Sequence, residues 1–304
     1  VRIVFLGTGG SLPTPKRNVS AVAVQTGSEI ILFDCGEGTQ RQFMRSSASF
    51  MKVHTVFITH LHGDHFLGIP ALVQSMSFSG REKELFVFGP AGTAETVAAM
   101  LRLGYFQSGF PVTTQDLEDG DEVDFQHFKV KAVRSTHSVP SLAYVLEEQA
   151  RPGRFDLDKA KSLGIPTGPS FRRLQEGHSV SVGDRTITPD MVMGPRRPGR
   201  KIVISGDTRP CEALIEAAKG ADVLVHEATV ASGLISDARE YGHSTAAEAA
   251  EVARRSEAKR LYLYHLSSRY DEASELEEEA RKVFPDSYVA EDLMVVQVDP
   301  PKGE

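Results

Sequence analysis

The chain has 304 residues, 40% hydrophobic and 25% charged, enough to bury a sizeable core as one large domain or two. Its net charge of −7, taken alone, argues against a nucleic-acid partner, and no apolar run approaches the roughly 20 residues of a membrane span. Two cysteines, Cys35 and Cys211, stand far apart in no CxxC pattern, which excludes a disulfide framework and fits a reducing cytosol. The opening run VRIVFLGTGG is strand-like and lacks the apolar core of a signal peptide. A soluble, cytoplasmic protein is expected.

In chain order the strand patterns are IVFL, SAVAVQT, EIILFD, TVFIT, ELFVFG, FKVKAV, LAYVLE, KIVISGD, DVLVHEA and RLYLYHL. Helical patterns fall at residues 38–46, 68–77, 92–103, 210–218, 246–256 and 271–283. The interleaving predicts an α/β layered fold. Pro152, Gly153, Gly164, Pro166, Gly168 and Pro169 break the rhythm in the middle of the chain, where few residues could form a core. This segment reads as an excursion with one short helix near residues 156–162. Between residues 150 and 201, eleven basic residues face five acidic ones, a local +6 that leaves −13 for the rest. Charge alone leaves two readings level, a solubilising insertion and a nucleic-acid-binding arm.

The stretch THLHGDH puts three histidines and an aspartate into six consecutive residues after a strand. Such a strand end can aim His60 and His62 at one metal ion while Asp64 and His65 turn towards a second. Further ligands are expected just after other apolar runs: His137 after AVRST, Asp207 after IVISG and His265 after LYLY. Two cations about 3.5–4 Å apart need a bridging carboxylate, for which Asp207 is best placed. Nitrogen and oxygen donors without cysteine suit Zn²⁺. His54, His127 and His178 lack such a setting and are assigned no role.

The motif HLHGDH with downstream His137, Asp207 and His265 resembles the metallo-β-lactamase superfamily. FLGTGGSLPTPKRN, DCGEGTQRQ, HEAT at 226–229 and GHST at 242–245 are similar, over nearly the whole chain, to the short form of the ribonuclease Z family. That resemblance implies a four-layered αβ/βα sandwich spanning residues 1–304, with a flexible arm inserted at 150–195. It implies two zinc ions per subunit: one on His60, His62 and His137, the other on Asp64, His65 and His265, with Asp207 bridging. Asp34 would order the site from behind. The implied activity is removal of the 3′ trailer from precursor tRNA, leaving a 3′-hydroxyl on the tRNA.

Two cations of this kind lower the pKa of a shared water and supply hydroxide for in-line attack on phosphorus. Asp64 would orient the nucleophile or take its proton. The leaving ribose 3′ oxygen needs a proton, which His243 would give, its imidazolium stabilised by Glu227. The alternatives are a strand-end salt bridge for Glu227 and, for His243, the residue before a helix started by the capping box TAAE; the catalytic reading, which leans on the resemblance, is favoured. Arg269 would clamp the scissile phosphate. Arg17 and Asn18 carry over from the family's PxKxRN loop near the tRNA 3′ end, whereas Pro15 replaces its lysine and Lys16 falls one place late. Gly168, Pro169, Arg172 and Arg173 match the arm that grips tRNA, whose shape more than its sequence would be read. A homodimer follows by the same analogy, through the helix after His65, which also reads as an ordinary core helix.

The rival reading is a small-molecule phosphodiesterase or arylsulfatase-like hydrolase on the same scaffold, which would keep the metals without needing a basic arm. A silent RNA-binding relative would be expected to lose ligands, and none is missing here.

Overall fold

The computed structural model describes residues 1–300. Strands β1 (Arg2–Gly7), β2 (Ala21–Thr26), β3 (Glu29–Phe33), β4 (Val53–Phe57), β5 (Leu85–Gly89) and β6 (Val112–Asp116) run through the first sheet. Strands β7 (Glu122–Asp124), β8 (Phe128–Arg134) and β9 (Leu142–Glu148) begin the second. A hairpin, β10 (Val180–Val182) and β11 (Arg185–Ile187), stands apart. Then β12 (Lys201–Ile204), β13 (Val223–Glu227), β14 (Leu261–Tyr264) and β15 (Ser287–Val289) complete the second sheet, and β16 (Val295–Gln297) returns to the first beside β1. The sheet orders are β16-β1-β2-β3-β4-β5-β6 and β15-β14-β13-β12-β9-β8-β7.

Central strands such as β1, β3, β13 and β14 read as near-continuous apolar runs because both faces are covered. Along β1, Ile3 and Phe5 enter the core between the sheets, while Val4 and Leu6 face the other way. On β14, Tyr262 and Tyr264 point inward and Leu261 and Leu263 outward. Phe57 and Tyr144 meet across the sheets at 5.0 Å between ring centroids. The outer face of the first sheet is covered by α1 (Thr39–Arg45), α3 (Ile69–Phe78) and α4 (Thr93–Met100), the four-residue turn α2 (Gly63–Phe66) lying between α1 and α3 in the chain. Helices α7 (Glu212–Ala217), α9 (Ala246–Arg255) and α10 (Ser274–Val283) cover the second, after α5 (Leu157–Ser162) and α6 (Pro169–Gln175) of the middle segment. This is the four-layered αβ/βα arrangement.

Each sheet has a parallel run, β3-β4-β5-β6 in the first and β12-β13-β14-β15 in the second. In open α/β sheets ligands gather at the carboxyl ends of such strands. Asp34 follows β3, His60 follows β4, Asp207 follows β12, Glu227 ends β13 and His265 follows β14. The β4 end is tied to β9 across the interior by the Tyr144 hydroxyl, which donates to the Ile58 carbonyl at 2.7 Å, and by Leu142 N–H to Thr59 O at 2.9 Å.

The middle segment is a separate compact unit, Glu148–Gly199. Contrary to the sequence expectation, it has a core of its own: Ala160, Ile165, Leu174, Val180, Ile187 and Val192 are buried. The helix expected at 156–162 is α5, with Asp156 as N-cap accepting from Lys159 N–H at 2.9 Å. Helix α6 and the hairpin were not expected.

Candidate metal centre and active site

The turn after β4 spreads its side chains. His60 and His65 are fully buried, and His62 and Asp64 are partly exposed. Ligand atoms of His60, His62, His137 and Asp207 lie within 4.8 Å of one another, and so do those of Asp64, His65 and His265. Asp207 stands between the groups. Its Oδ2 is 3.6 Å from His60 Nε2 and 3.2 Å from His265 Nε2, and its Oδ1 is 3.5 Å from His65 Nε2. Asp64 Oδ2 is 3.2 Å from His265 Nε2 and 3.5 Å from His65 Nε2.

Hydrogen bonds made by the outward-facing ring nitrogens aim the inward-facing ones. His65 Nδ1 donates to Asp34 Oδ2 at 2.7 Å, and Asp34 also accepts from Thr59 N–H at 2.7 Å and the Thr59 hydroxyl at 2.9 Å. His137 Nδ1 donates to the Gly242 carbonyl at 2.9 Å, leaving Nε2 3.2 Å from His62 Nδ1. Gly242 has φ +83°, which favours glycine, and an added Cβ would lie 2.9 Å from His137 Nδ1. Ser11, Asp34 and His265, all non-glycine, sit at φ +61°, +59° and +55°. Backbone in this region costs about 1–3 kcal/mol per residue and persists where its surroundings over-determine it. Ser11 N–H donates to Asp64 Oδ2 at 2.7 Å.

Three buried polar atoms at the middle of this cluster, His60 Nε2, His65 Nε2 and Asp207 Oδ1, have no hydrogen-bond partner. Buried groups rarely go unsatisfied. Converging nitrogen and carboxylate lone pairs without cysteine make the donor set that divalent cations need, so the residues fit metal ions. Burial by itself would raise the Asp207 carboxyl, but His265, His65 and His60 outweigh it and hold it well below the usual carboxylate range. Burial pulls the His60 imidazole well below its ordinary value.

Glu227, fully buried, is a hub. Its Oε1 accepts from His243 Nδ1 at 3.0 Å, Ser244 N–H at 3.0 Å and Thr208 N–H at 3.1 Å. Burial disfavours the His243 imidazolium, but the Glu227 hydrogen bond and charge overcome this and raise His243 to about 9. His243 follows α8 (Ile235–Tyr241) and Gly242, and precedes α9, whose Thr245–Glu248 capping box is the one read from TAAE. Its Nδ1 is 3.8 Å from Asp207 Oδ2. Beside it opens a cavity of about 530 Å³ whose lining includes His62, Ser138, Tyr241, His243 and Arg269.

Arg269 is half exposed at this cavity, 3.7 Å from Asp237. Arg17 does not project as a substrate-facing residue would. Its guanidinium turns inward and donates to the Thr8 hydroxyl and the Ala290 carbonyl, both at 2.7 Å. Asn18 donates to Glu37 O at 2.9 Å, and Lys16 pairs with Glu272 at 2.9 Å. Gly168, at φ +112°, precedes Pro169 at the start of α6, on which Arg172 and Arg173 are exposed. Sequence reasoning missed Asp292, which accepts from Thr8 N–H, Asn18 N–H and Gln42 Nε2 at 3.0, 2.7 and 2.6 Å and so pins the loop after β1. A lone aspartate in EDLMVV carried no signal for this.

The fold and the buried histidine–aspartate cluster define a hydrolase of the metallo-β-lactamase class. Residues 168–266 match the family described as beta-lactamase superfamily domain, and residues 1–151 match that described as anti-Pycsar protein Apyc1. Ribonuclease Z of Methanosarcina acetivorans is 48% identical over 299 residues, 98% of each chain. Ribonuclease Z of Myxococcus xanthus is 47% identical over 286 residues, 93% of each chain. The crystal structure of human tRNase Z, short form, is similar with a TM-score of 0.72 at 29% identity, over 98% of this chain and 100% of that one. The chain belongs to the ribonuclease Z family and is a nuclease.

Proposed function

We propose that the chain is a zinc-dependent endoribonuclease that removes the 3′ trailer from precursor tRNA and leaves a 3′-hydroxyl on the tRNA. The observation that carries this reading is the Glu227–His243 pair beside two ligand groups, with Asp207 a member of the first and 3.5 and 3.2 Å from His65 and His265 of the second. Its tRNA substrate is the one named for the human relative.

His60, His62 and His137 would hold one zinc ion and Asp64, His65 and His265 the other, with Asp207 between them. Bound there, the pair supplies Lewis-acid activation of water and neutralises charge on the phosphate. Asp64 orients the attacking water and takes its proton. As the new P–O bond forms, the bond from phosphorus to the ribose 3′ oxygen breaks, and His243 protonates that oxygen. Glu227, acceptor-only, holds His243 in its charged, donating form. Arg269 steadies a non-bridging phosphate oxygen from the cavity wall. Arg17 and Asn18 shape the loop after β1 near the RNA 3′ end. In the arm, Gly168 and Pro169 start the helix that offers Arg172 and Arg173 to the tRNA backbone.

A homodimer is part of this reading. Helix α3 buries Ile69, Leu72, Val73 and Met76 in its own subunit, while Phe78 remains 80% exposed and Leu67, just before it, 52% exposed. These residues would meet a second copy. The setting proposed is the cytoplasm; among the described residues no helix is long and apolar enough to cross a membrane.

The test is purified protein with zinc and a 5′-labelled precursor tRNA carrying a trailer. One cut near the acceptor end, abolished by chelator, is expected. Asp207→Ala should lose metal and activity together, whereas His243→Ala should keep metal and lose about 10²–10⁴-fold in turnover. Intact RNA beside brisk hydrolysis of a small phosphodiester would move the function to the small-ester alternative.

A further inference from the structure

The second oxygen of Glu227 makes a connection that the proton-donor role does not require. Oε2 accepts from the Thr229 hydroxyl at 2.8 Å and from Thr229 N–H at 3.1 Å. The same hydroxyl oxygen lies 3.0 Å from His265 Nδ1. A hydroxyl has one proton to give. Glu227 is a buried carboxylate that can only accept, so the Thr229 proton goes to it. The Thr229 oxygen must then accept, and His265 Nδ1 must carry the hydrogen. That fixes the tautomer and leaves the His265 Nε2 lone pair pointing at Asp64 Oδ2 and Asp207 Oδ2, each 3.2 Å away. With Nδ1 carrying its hydrogen, two carboxylate oxygens facing Nε2 call for a proton or a metal ion among them.

The other surroundings of His265 confine its ring without selecting a nitrogen. Its backbone is left-handed, the His243 ring stacks at 5.3 Å, and Gly10 lies so close that an added Cβ would come within 2.5 Å of Cε1. Thr229 is the contact that reads which nitrogen is protonated.

We propose that Thr229 is a positioning residue: its hydroxyl relays Glu227 to His265 and locks that imidazole with Nε2 free for a metal ion. Glu227 thereby serves both centres, the proton donor through Oε1 and a ligand of the Asp64–His65–His265 group through Oε2. The inference rests on the two-metal reading above. Partners of this kind, hydrogen-bonded behind a ligand, commonly carry about 10–100-fold in metal affinity.

Thr229→Val keeps the branched shape and removes the hydroxyl, and Thr229→Ser keeps the hydroxyl and removes the methyl. Zinc is titrated into each full-length protein after chelator treatment, in competition with a chromophoric chelator, and the thermal midpoint of the metal-free form is recorded. Thr229→Val is expected to weaken one of the two zinc sites about 10–100-fold and spare the other, with the metal-free midpoint close to wild type. Thr229→Ser is expected to stay within a few-fold at both sites. Two unchanged sites in Thr229→Val, or equal losses in Val and Ser, would overturn the role of the hydroxyl. A wild-type protein that takes up one zinc or none would overturn instead the two-metal reading beneath it.

Discussion

Asp34 and His65, 31 residues apart in the chain, are joined by a 2.7 Å hydrogen bond between Oδ2 and Nδ1 at the carboxyl ends of neighbouring strands. The aspartate is not a member of the ligand groups, yet it decides which nitrogen of His65 faces their other members. Asp34→Ala is expected to lower metal affinity about 10–100-fold. Asp34→Asn, whose single oxygen can still accept from His65 and the Thr59 hydroxyl while its NH2 replaces the acceptor of the Thr59 N–H, should lose less. Zinc content after dialysis against a weak chelator separates the two.

The pairing of His243 with Glu227 gives the metal-free protein a pH signature. His243 is raised from about 6.5 to about 9. A group raised on folding contributes stability that is complete below its unfolded value and is lost as pH rises through its folded value. The metal-free thermal midpoint should therefore fall between about pH 6.5 and 9. In Glu227→Gln this slope should flatten, and the His243 ring, followed by NMR, should titrate closer to its ordinary value.

Gly10 is the residue against which His265 rests. Ala at this position would place Cβ 2.5 Å from Cε1 and 2.6 Å from Nδ1 of that ring. Gly10→Ala is expected to displace His265, lowering zinc occupancy and catalysis together while the sheets persist. Metal analysis beside far-ultraviolet circular dichroism would show it.

Leu174 is fully buried in the small core of the Glu148–Gly199 unit. Leu174→Ala should cost that unit about 2–5 kcal/mol. Hydrogen exchange should accelerate across α5, α6 and the β10–β11 hairpin, with the amides of β3 and β4 still protected.

Arg172 and Arg173 test the arm. Each lost phosphate contact should reduce the slope of log affinity against log salt by about 0.7–0.9. Replacing both by alanine is expected to weaken tRNA binding and flatten its salt dependence, measured by filter binding over a salt series. Unchanged slope and affinity would remove the two arginines from the interface.

The ten strand patterns read from the sequence are all strands, most because burial on both faces leaves an apolar run and β8, FKVKAV, because its lysines alternate with buried residues. The cluster was legible for a related reason: His60, Asp207 and His265 each come directly after such a run. What escaped were elements whose support is not local. Strands β7, β10, β11, β15 and β16 have three residues each, too few to show a period, and the five-residue β6, VTTQD, has no buried run to mark it. The arm's core draws Ala160, Ile165, Leu174, Val180, Ile187 and Val192 from scattered positions along that segment, so no periodicity announces it. Arg17 carries the family motif, but its inward hydrogen bond to the Ala290 carbonyl depends on chain 273 residues away.

The return of β16 to the edge of β1 bears on the order of biosynthesis. Phe5 exchanges backbone hydrogen bonds with Leu293 and Met294, and Asp292 secures Thr8 and Asn18. During translation one edge of β1 and the loop after it must wait for Asp292 and β16, long after β1 and β2 have emerged. A nascent chain stalled before residue 290 would present an open strand edge for mispairing, and the loop after β1 would lack its anchor. The open edge of the first sheet and the anchor of that loop are thus supplied by one and the same stretch of chain.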